Sequence, residues 1–311
     1  MSFNERLENK SVIILDGGTG SEVYRLIKDI NNPAWSSLAN LNHSNIVQKI
    51  HENYINIGCD IITTNTFSAC RHVLAGVGLA DKVSIIIQNA VNSALKARQK
   101  ASSEKKILVA GSMSHTFSWI KNTMTFDPEF IPSSKEEYNN YKEHAEILAE
   151  SGVDIILLEM CSDIEHSSIL LEAALTTGLP VWVGLSCSVQ EDNSVLGLDF
   201  VPNYKPIEFE KIINSLSTIG GEAFGIMHST VNDTYSGLDI LKEKWNGPIM
   251  AYPEISHWDS FTHEAIPYVD PNDFSHHCIN WIDQGVKIIG GCCGVTINHM
   301  ENLVKELKEN R

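Results

Sequence analysis

The chain has 311 residues, enough for one large barrel or two modest domains. Its formal net charge of -16 argues against direct contact with nucleic acid or an anionic membrane, since both need clustered Lys and Arg. The first ten residues are polar and mixed in charge, unlike a signal peptide, and no apolar run approaches the ~20 residues of a membrane span. Seven cysteines without framework spacing fit a reducing compartment, so a cytoplasmic location is expected.

The elements alternate. Residues 11–15 form a short β-branched run that breaks at Asp16-Gly17-Gly18-Thr19-Gly20, with a helix expected from about Ser21. The break lacks the Gly-Lys-Ser/Thr of a phosphate-binding P-loop. It reads either as a tight turn capped by Asp16 or as a loop whose bare amides cradle a carboxylate. Residues 33–43 are irregular and contain Trp35, and 46–57 have helical spacing up to Gly58. Strands are then expected at 60–63, 106–110, 154–158, 180–185, 222–227, 248–252 and 286–289. Helices are expected at 82–100, 135–151, 164–177, 207–219, 235–244, 273–284 and 298–309. The connection 114–134 is too long for a plain turn, and such segments often serve as lids.

Eight continuous apolar strands alternating with helices imply a parallel sheet covered on both faces. In roughly 300 residues that pattern points to a single-domain (β/α)₈ TIM barrel, with an open doubly wound sheet as the competitor. In a barrel, residues at the C-terminal strand ends share one face and carry the site. Here those positions read Asp16, Thr64-Asn65, Ser112, Glu159, Ser186, His228, Tyr252 and Cys292-Cys293.

The last of these lies in Gly290-Gly291-Cys292-Cys293-Gly294. Adjacent cysteines at a bent backbone suit a soft metal such as zinc. They also suit simple packing, and a dithiol redox pair is a third reading, although C-x-x-C is the usual redox spacing. His228 leaves the sixth strand and the cysteine pair leaves the eighth, so one imidazole and two thiolates could meet on an ion. Three ligands with an open fourth position is the pattern of a catalytic zinc.

The whole chain resembles the zinc-dependent homocysteine S-methyltransferases. The resemblance rests on Asp16-Gly17-Gly18-Thr19-Gly20, on Asn32-Pro33-Ala34-Trp35-Ser36, and on Gly58-Cys59-Asp60-Ile61-Ile62-Thr63-Thr64-Asn65-Thr66-Phe67. Gly152-Val153-Asp154 through to Glu159 and the double-cysteine motif complete it, in family order from end to end. It implies a (β/α)₈ barrel that binds homocysteine through Zn²⁺. It also implies that the loop Asp16, Gly17, Gly18 and Thr19 holds the substrate's carboxylate and Glu159 its ammonium. A helix lysine paired with Glu159 is the plainer alternative.

This chain departs from the pattern around the site. Where the family places Gly-Val-Asn-Cys at the sixth strand exit, this chain has Gly225-Ile226-Met227-His228, so imidazole replaces a thiolate. Where the family has Pro-Asn-Ser-Gly, this chain has Pro253-Glu254-Ile255-Ser256. Ser114-His115 and Glu159-Met160 replace Gly-Pro and Glu-Thr.

The expected reaction moves a methyl group from a sulfonium or quaternary ammonium donor to a thiol. Aromatic faces attract such cations, and Trp35, Phe67, Trp119 and Tyr252 are the candidates, with Asn65 beside them at the second strand exit. A zinc- or small-molecule-binding barrel without transfer, and a zinc hydrolase using His228, Asp16 and Glu159, are the alternatives. Monomer and homodimer are both compatible with the sequence.

Overall fold

The computed structural model describes residues 12–27, 33–101, 106–121, 123, 125–259 and 264–309. Asn32, part of the second motif, lies outside them. The strands in chain order are β1 (Ile13–Ile14), β2 (Ile61–Thr63), β3 (Leu108–Ser114), β4 (Ile155–Cys161), β5 (Val181–Leu185) and β6 (Cys187–Val189). They continue with β7 (Val195–Gly197), β8 (Ala223–Met227), β9 (Ile249–Tyr252), β10 (Ser256–Asp259), β11 (Glu264–Pro267) and β12 (Ile288–Ile289). Eight of them form one parallel sheet in the order β1-β12-β9-β8-β5-β4-β3-β2. Its two ends meet. Asp60 N–H donates to Ile14 O at 2.7 Å, and Ile14 N–H donates to the Asp60 carboxylate at 3.0 Å. The result is the single-domain (β/α)₈ barrel expected from the sequence.

Strand periodicity sorts each strand's residues into two layers. Leu15, Ile61, Leu108, Ile155, Leu157, Trp182, Met227, Met250 and Ile288 pack inside the barrel. Ile14, Ile62, Val109, Ile156, Val183, Phe224, Ile226 and Ile289 pack outward against the helices. Both faces are buried, so the strands read as unbroken apolar runs rather than alternating ones.

The helices fall close to expectation. Ser44–Ile57 ends at Gly58 with φ 117°. Ser134–Ser151 opens with a reciprocal capping box between Ser133 and Glu136. No described helix is long and apolar enough to cross a membrane.

Three local features depart from the expected pattern. Two antiparallel hairpins, β6–β7 and β10–β11, extend from the strand-exit face. Residues 33–43 are not irregular, since they hold the 3₁₀ turn Trp35–Leu38 and the short helix Ala39–Asn42. The long connection after β3 is not a bare polar lid. His115, Phe117 and Trp119 on it are buried, and Trp119 bridges to Phe126. Single-sequence patterning misses this because a few inward aromatic residues among polar ones set no period.

Candidate metal centre

The two glycine-rich loops lie against each other at the barrel mouth. Gly18 N–H donates to Val295 O at 3.0 Å and Gly291 N–H to Asp16 O at 3.1 Å. A Cβ on Gly18 would stand 2.5 Å from Cys292 O, so only glycine permits this approach. The Gly18 amide is therefore not bare, contrary to one reading of that loop. Asp16 does not cap a helix either. Its carboxylate accepts from Thr63 N–H at 2.7 Å, Thr63 Oγ1 at 2.8 Å and Thr19 Oγ1 at 3.4 Å, tying the β1 exit to β2.

His228 follows β8 in the left-handed region, with φ 45°. For a residue with a Cβ that conformation needs support. Ser229 supplies it, accepting from Cys187 N–H at 2.9 Å and donating to Met227 O at 3.1 Å. Thr230 then caps the helix Val231–Lys244 by accepting from Asp233 N–H. The turn aims the imidazole across the mouth at the cysteine pair. His228 Nδ1 lies 3.6 Å from Cys292 Sγ, and the two sulfurs are 3.9 Å apart. Among the described residues these three are the only group of His, Cys, Asp or Glu whose ligand atoms all lie within 4.8 Å of one another.

The spacing can be set against a tetrahedral ion. Metal–sulfur bonds of about 2.3 Å and a metal–nitrogen bond of about 2.0 Å give a sulfur–sulfur edge of about 3.8 Å and a sulfur–nitrogen edge of about 3.5 Å. The two edges from Cys292 match, all three ligand atoms lie within 4.8 Å of one another, and the soft donors suit zinc. Burial lowers the His228 imidazole, but the Cys293 thiolate, then Glu254 and Glu159, outweigh it and raise the group to about 9. The hydrogen bond from Cys292, followed by the imidazolium, holds Cys293 well below the usual thiol range. Cys292, as the donor to Cys293 and buried as well, is pushed well above it.

Beside the trio a cavity of about 480 Å³ opens at the strand-exit face. Its lining includes Asp16, Gly17, Gly18, Thr19, Trp35 and Asn65. Phe67, Glu159, Tyr252, His228, Cys292 and Cys293 complete the residues singled out from sequence for metal and substrate, and all of them line it. Trp119, also considered for the donor, does not. It packs behind the wall on Phe126 and Phe200, with ring centroids 4.3 and 5.3 Å away.

Asn65 lines the cavity with its amide already engaged. Its Nδ2 donates to Ser36 O at 2.9 Å and Asn40 Oδ1 at 3.1 Å, while Ser36 Oγ donates to its Oδ1 at 2.5 Å. Its evident work is to hold the Trp35–Ser36 turn. Glu159 is not past its strand but inside β4, within the register shift between Leu158 and Cys161, where Met160 has φ 62°. Glu159 accepts from Ser112 Oγ, and among the described residues it has no lysine partner. Burial, with smaller additions from Asp16 and Cys293, raises its carboxyl to about 7 despite that bond. Burial likewise raises Asp16 to about 7 against its threonine donors.

Glu254 and Phe200 are among the wall residues not assigned from sequence. Glu254 was visible only as a departure from the resemblance, and Phe200 gave no signal because it follows the unforeseen hairpin.

The sequence profile of the homocysteine S-methyltransferases matches residues 13–307. The chain belongs to the homocysteine S-methyltransferase family. It is 24% identical to a homocysteine S-methyltransferase of Zea mays over 96% of this chain and 90% of that protein. It is also 24% identical to a selenocysteine methyltransferase of Astragalus bisulcatus, over 96% of this chain and 93% of the other. The metallated crystal form of the Escherichia coli homocysteine methyltransferase MmuM has the same fold, with a TM-score of 0.75. That likeness is at 17% identity and spans 96% of this chain and 98% of MmuM. The family places this chain among the methyltransferases, and the trio at the barrel mouth is a candidate metal centre.

Proposed function

We propose that this enzyme transfers a methyl group from a sulfonium or quaternary ammonium donor to a thiol, homocysteine being the acceptor the relatives' names favour, to give methionine. The observation that carries the reading is the convergence of His228, Cys292 and Cys293 on one edge of a cavity whose other walls hold Asp16 and Glu159. Zinc is the ion proposed for the trio, and when bound it keeps a substrate thiol deprotonated near neutral pH, where a free thiol at ~8.5 is mostly protonated.

The chain's own residues then orient the acceptor. Glu159 takes its ammonium. The N-terminus of the helix Thr19–Leu26, opening into the same cavity, suits its carboxylate through the helix dipole. Trp35, Phe67 and Tyr252 line the remaining wall and exclude water. No disulfide joins the seven cysteines, which suits a reducing, cytoplasmic setting.

The test combines elemental analysis of the purified protein with a transfer assay. Homocysteine is offered with a panel of methyl-labelled onium donors, and labelled methionine is followed by mass spectrometry. One zinc per chain and label in methionine are expected. Zinc without transfer from any donor would leave only a metal-binding barrel, and cleavage of an ester or amide panel would favour the hydrolase.

A further inference from the structure

Two side chains flank His228 on the cavity wall, and neither has a role in the account above. Phe200 lies with its ring centroid 6.4 Å from the His228 ring, and Glu254 Oε2 lies 3.4 Å from His228 Nδ1. Both line the cavity.

Both are also fixed in place. Phe200 is backed by Trp119 at 5.3 Å and Phe126 at 6.0 Å, so the long connection after β3 braces it. The segment of Glu254 is stitched to both metal-ligand loops. Glu254 N–H donates to Ser229 O at 3.0 Å, Cys292 N–H to Pro253 O at 2.9 Å, and Ile255 N–H to Cys293 O at 2.9 Å.

The charge of the cavity is one-sided. Asp16, Glu159 and Glu254 line it, and among the described lining residues there is no Lys or Arg. An anionic group placed beside Glu254 would meet no Lys or Arg, and the only imidazoles among the described lining residues are His228 and His257. The same wall carries the Tyr252 hydroxyl, which is buried and has no hydrogen-bond partner among the described residues. An aromatic ring and a carboxylate held on one wall of a cavity are the elements that recognise an onium centre.

We infer that Phe200 and Glu254 form the receptor for the donor's onium centre, and that they select a net-cationic donor over a zwitterion whose carboxylate lies a few bonds from that centre. The inference rests on the methyl-transfer reading. In the transfer the thiolate sulfur forms a bond to the methyl carbon. The bond from that carbon to the donor sulfur or nitrogen breaks, and its electron pair stays on the donor. The donor leaves as a neutral thioether or tertiary amine, so the charge that Glu254 attracts is gone from the product. Because that charge already fades at the transition state, Glu254 strengthens donor binding rather than the chemical step.

The test uses tetramethylammonium and glycine betaine, which share a quaternary head and differ by a carboxylate, titrated calorimetrically into the metal-loaded protein. Tetramethylammonium is expected to bind at least ~10-fold more tightly. Glu254→Gln should abolish that preference with metal content unchanged, and raise the KM of a reactive donor such as trimethylsulfonium without lowering kcat. Phe200→Leu should weaken tetramethylammonium ~3- to 30-fold. Equal binding of the two probes to the wild type, or a preference that survives Glu254→Gln, overturns the inference. Loss of metal in Glu254→Gln also overturns it, by making Glu254 a ligand. Selective tetramethylammonium binding without transfer from any onium donor to homocysteine would instead sink the methyltransferase reading and leave the receptor standing.

Discussion

Asp16→Asn gives a direct measure of the electrostatic cost of the barrel mouth. Asp16 is 3% exposed, and burial raises its carboxyl from 3.8 to about 7. A carboxyl raised in the fold stabilises fully only below its unfolded value, and that contribution is lost as pH rises through about 7. Between pH 5 and pH 8 the loss is about 3 kcal/mol, at ~1.4 kcal/mol for each tenfold change in proton affinity. Asparagine keeps the contacts. Its oxygen accepts from Thr63 N–H and Thr19 Oγ1, and its NH₂ donates to Thr63 Oγ1, which turns from donor to acceptor. The stability of Asp16→Asn relative to wild type should therefore rise by about 3 kcal/mol from pH 5 to pH 8. Urea unfolding of chelator-treated protein at several pH values reads this without a bound cation to offset the charge. A difference that stays constant across the range would show that burial does not destabilise this carboxylate.

Other substitutions bear on the metal trio and its supports. His228→Ala and Cys292→Ser should each weaken zinc at least ~100-fold by competition against a chromophoric chelator, whereas His228→Cys should retain the metal. Loss of zinc from a correctly folded His228→Cys protein would contradict the ligand assignment. Ser229→Ala removes the bonds that hold the left-handed His228 turn and should cost about 1–3 kcal/mol in urea unfolding. Gly294→Ala places a Cβ 2.4 Å from Ser256 Cβ on a backbone with φ 81°, and a loss of about 2–4 kcal/mol is expected by the same measurement.

Much of the fold was legible in the chain itself. Eight unbroken apolar runs state that both faces of each strand are buried, and their even alternation with helices leaves few topologies besides a closed barrel. Strand ends then nominate site residues, because a barrel gathers its C-terminal strand ends at one mouth. His228 and the cysteine pair were nominated in this way, and the fold brings them together although 64 residues separate His228 from Cys292.

Only tertiary structure decided what each of those residues can still offer. Asn65 and the Gly18 amide stand where the sequence put them, yet neighbours brought from distant segments already occupy their hydrogen-bonding groups. Among the described residues Glu159 meets no lysine, and burial rather than pairing raises its carboxyl. Phe200 and Glu254 reach the candidate metal trio through a hairpin and a braced turn whose positions depend on contacts across the mouth. Local pattern records which residues are apolar and how often they recur. It does not record which polar groups meet, because hydrogen bonds and desolvation depend on neighbours far away in sequence.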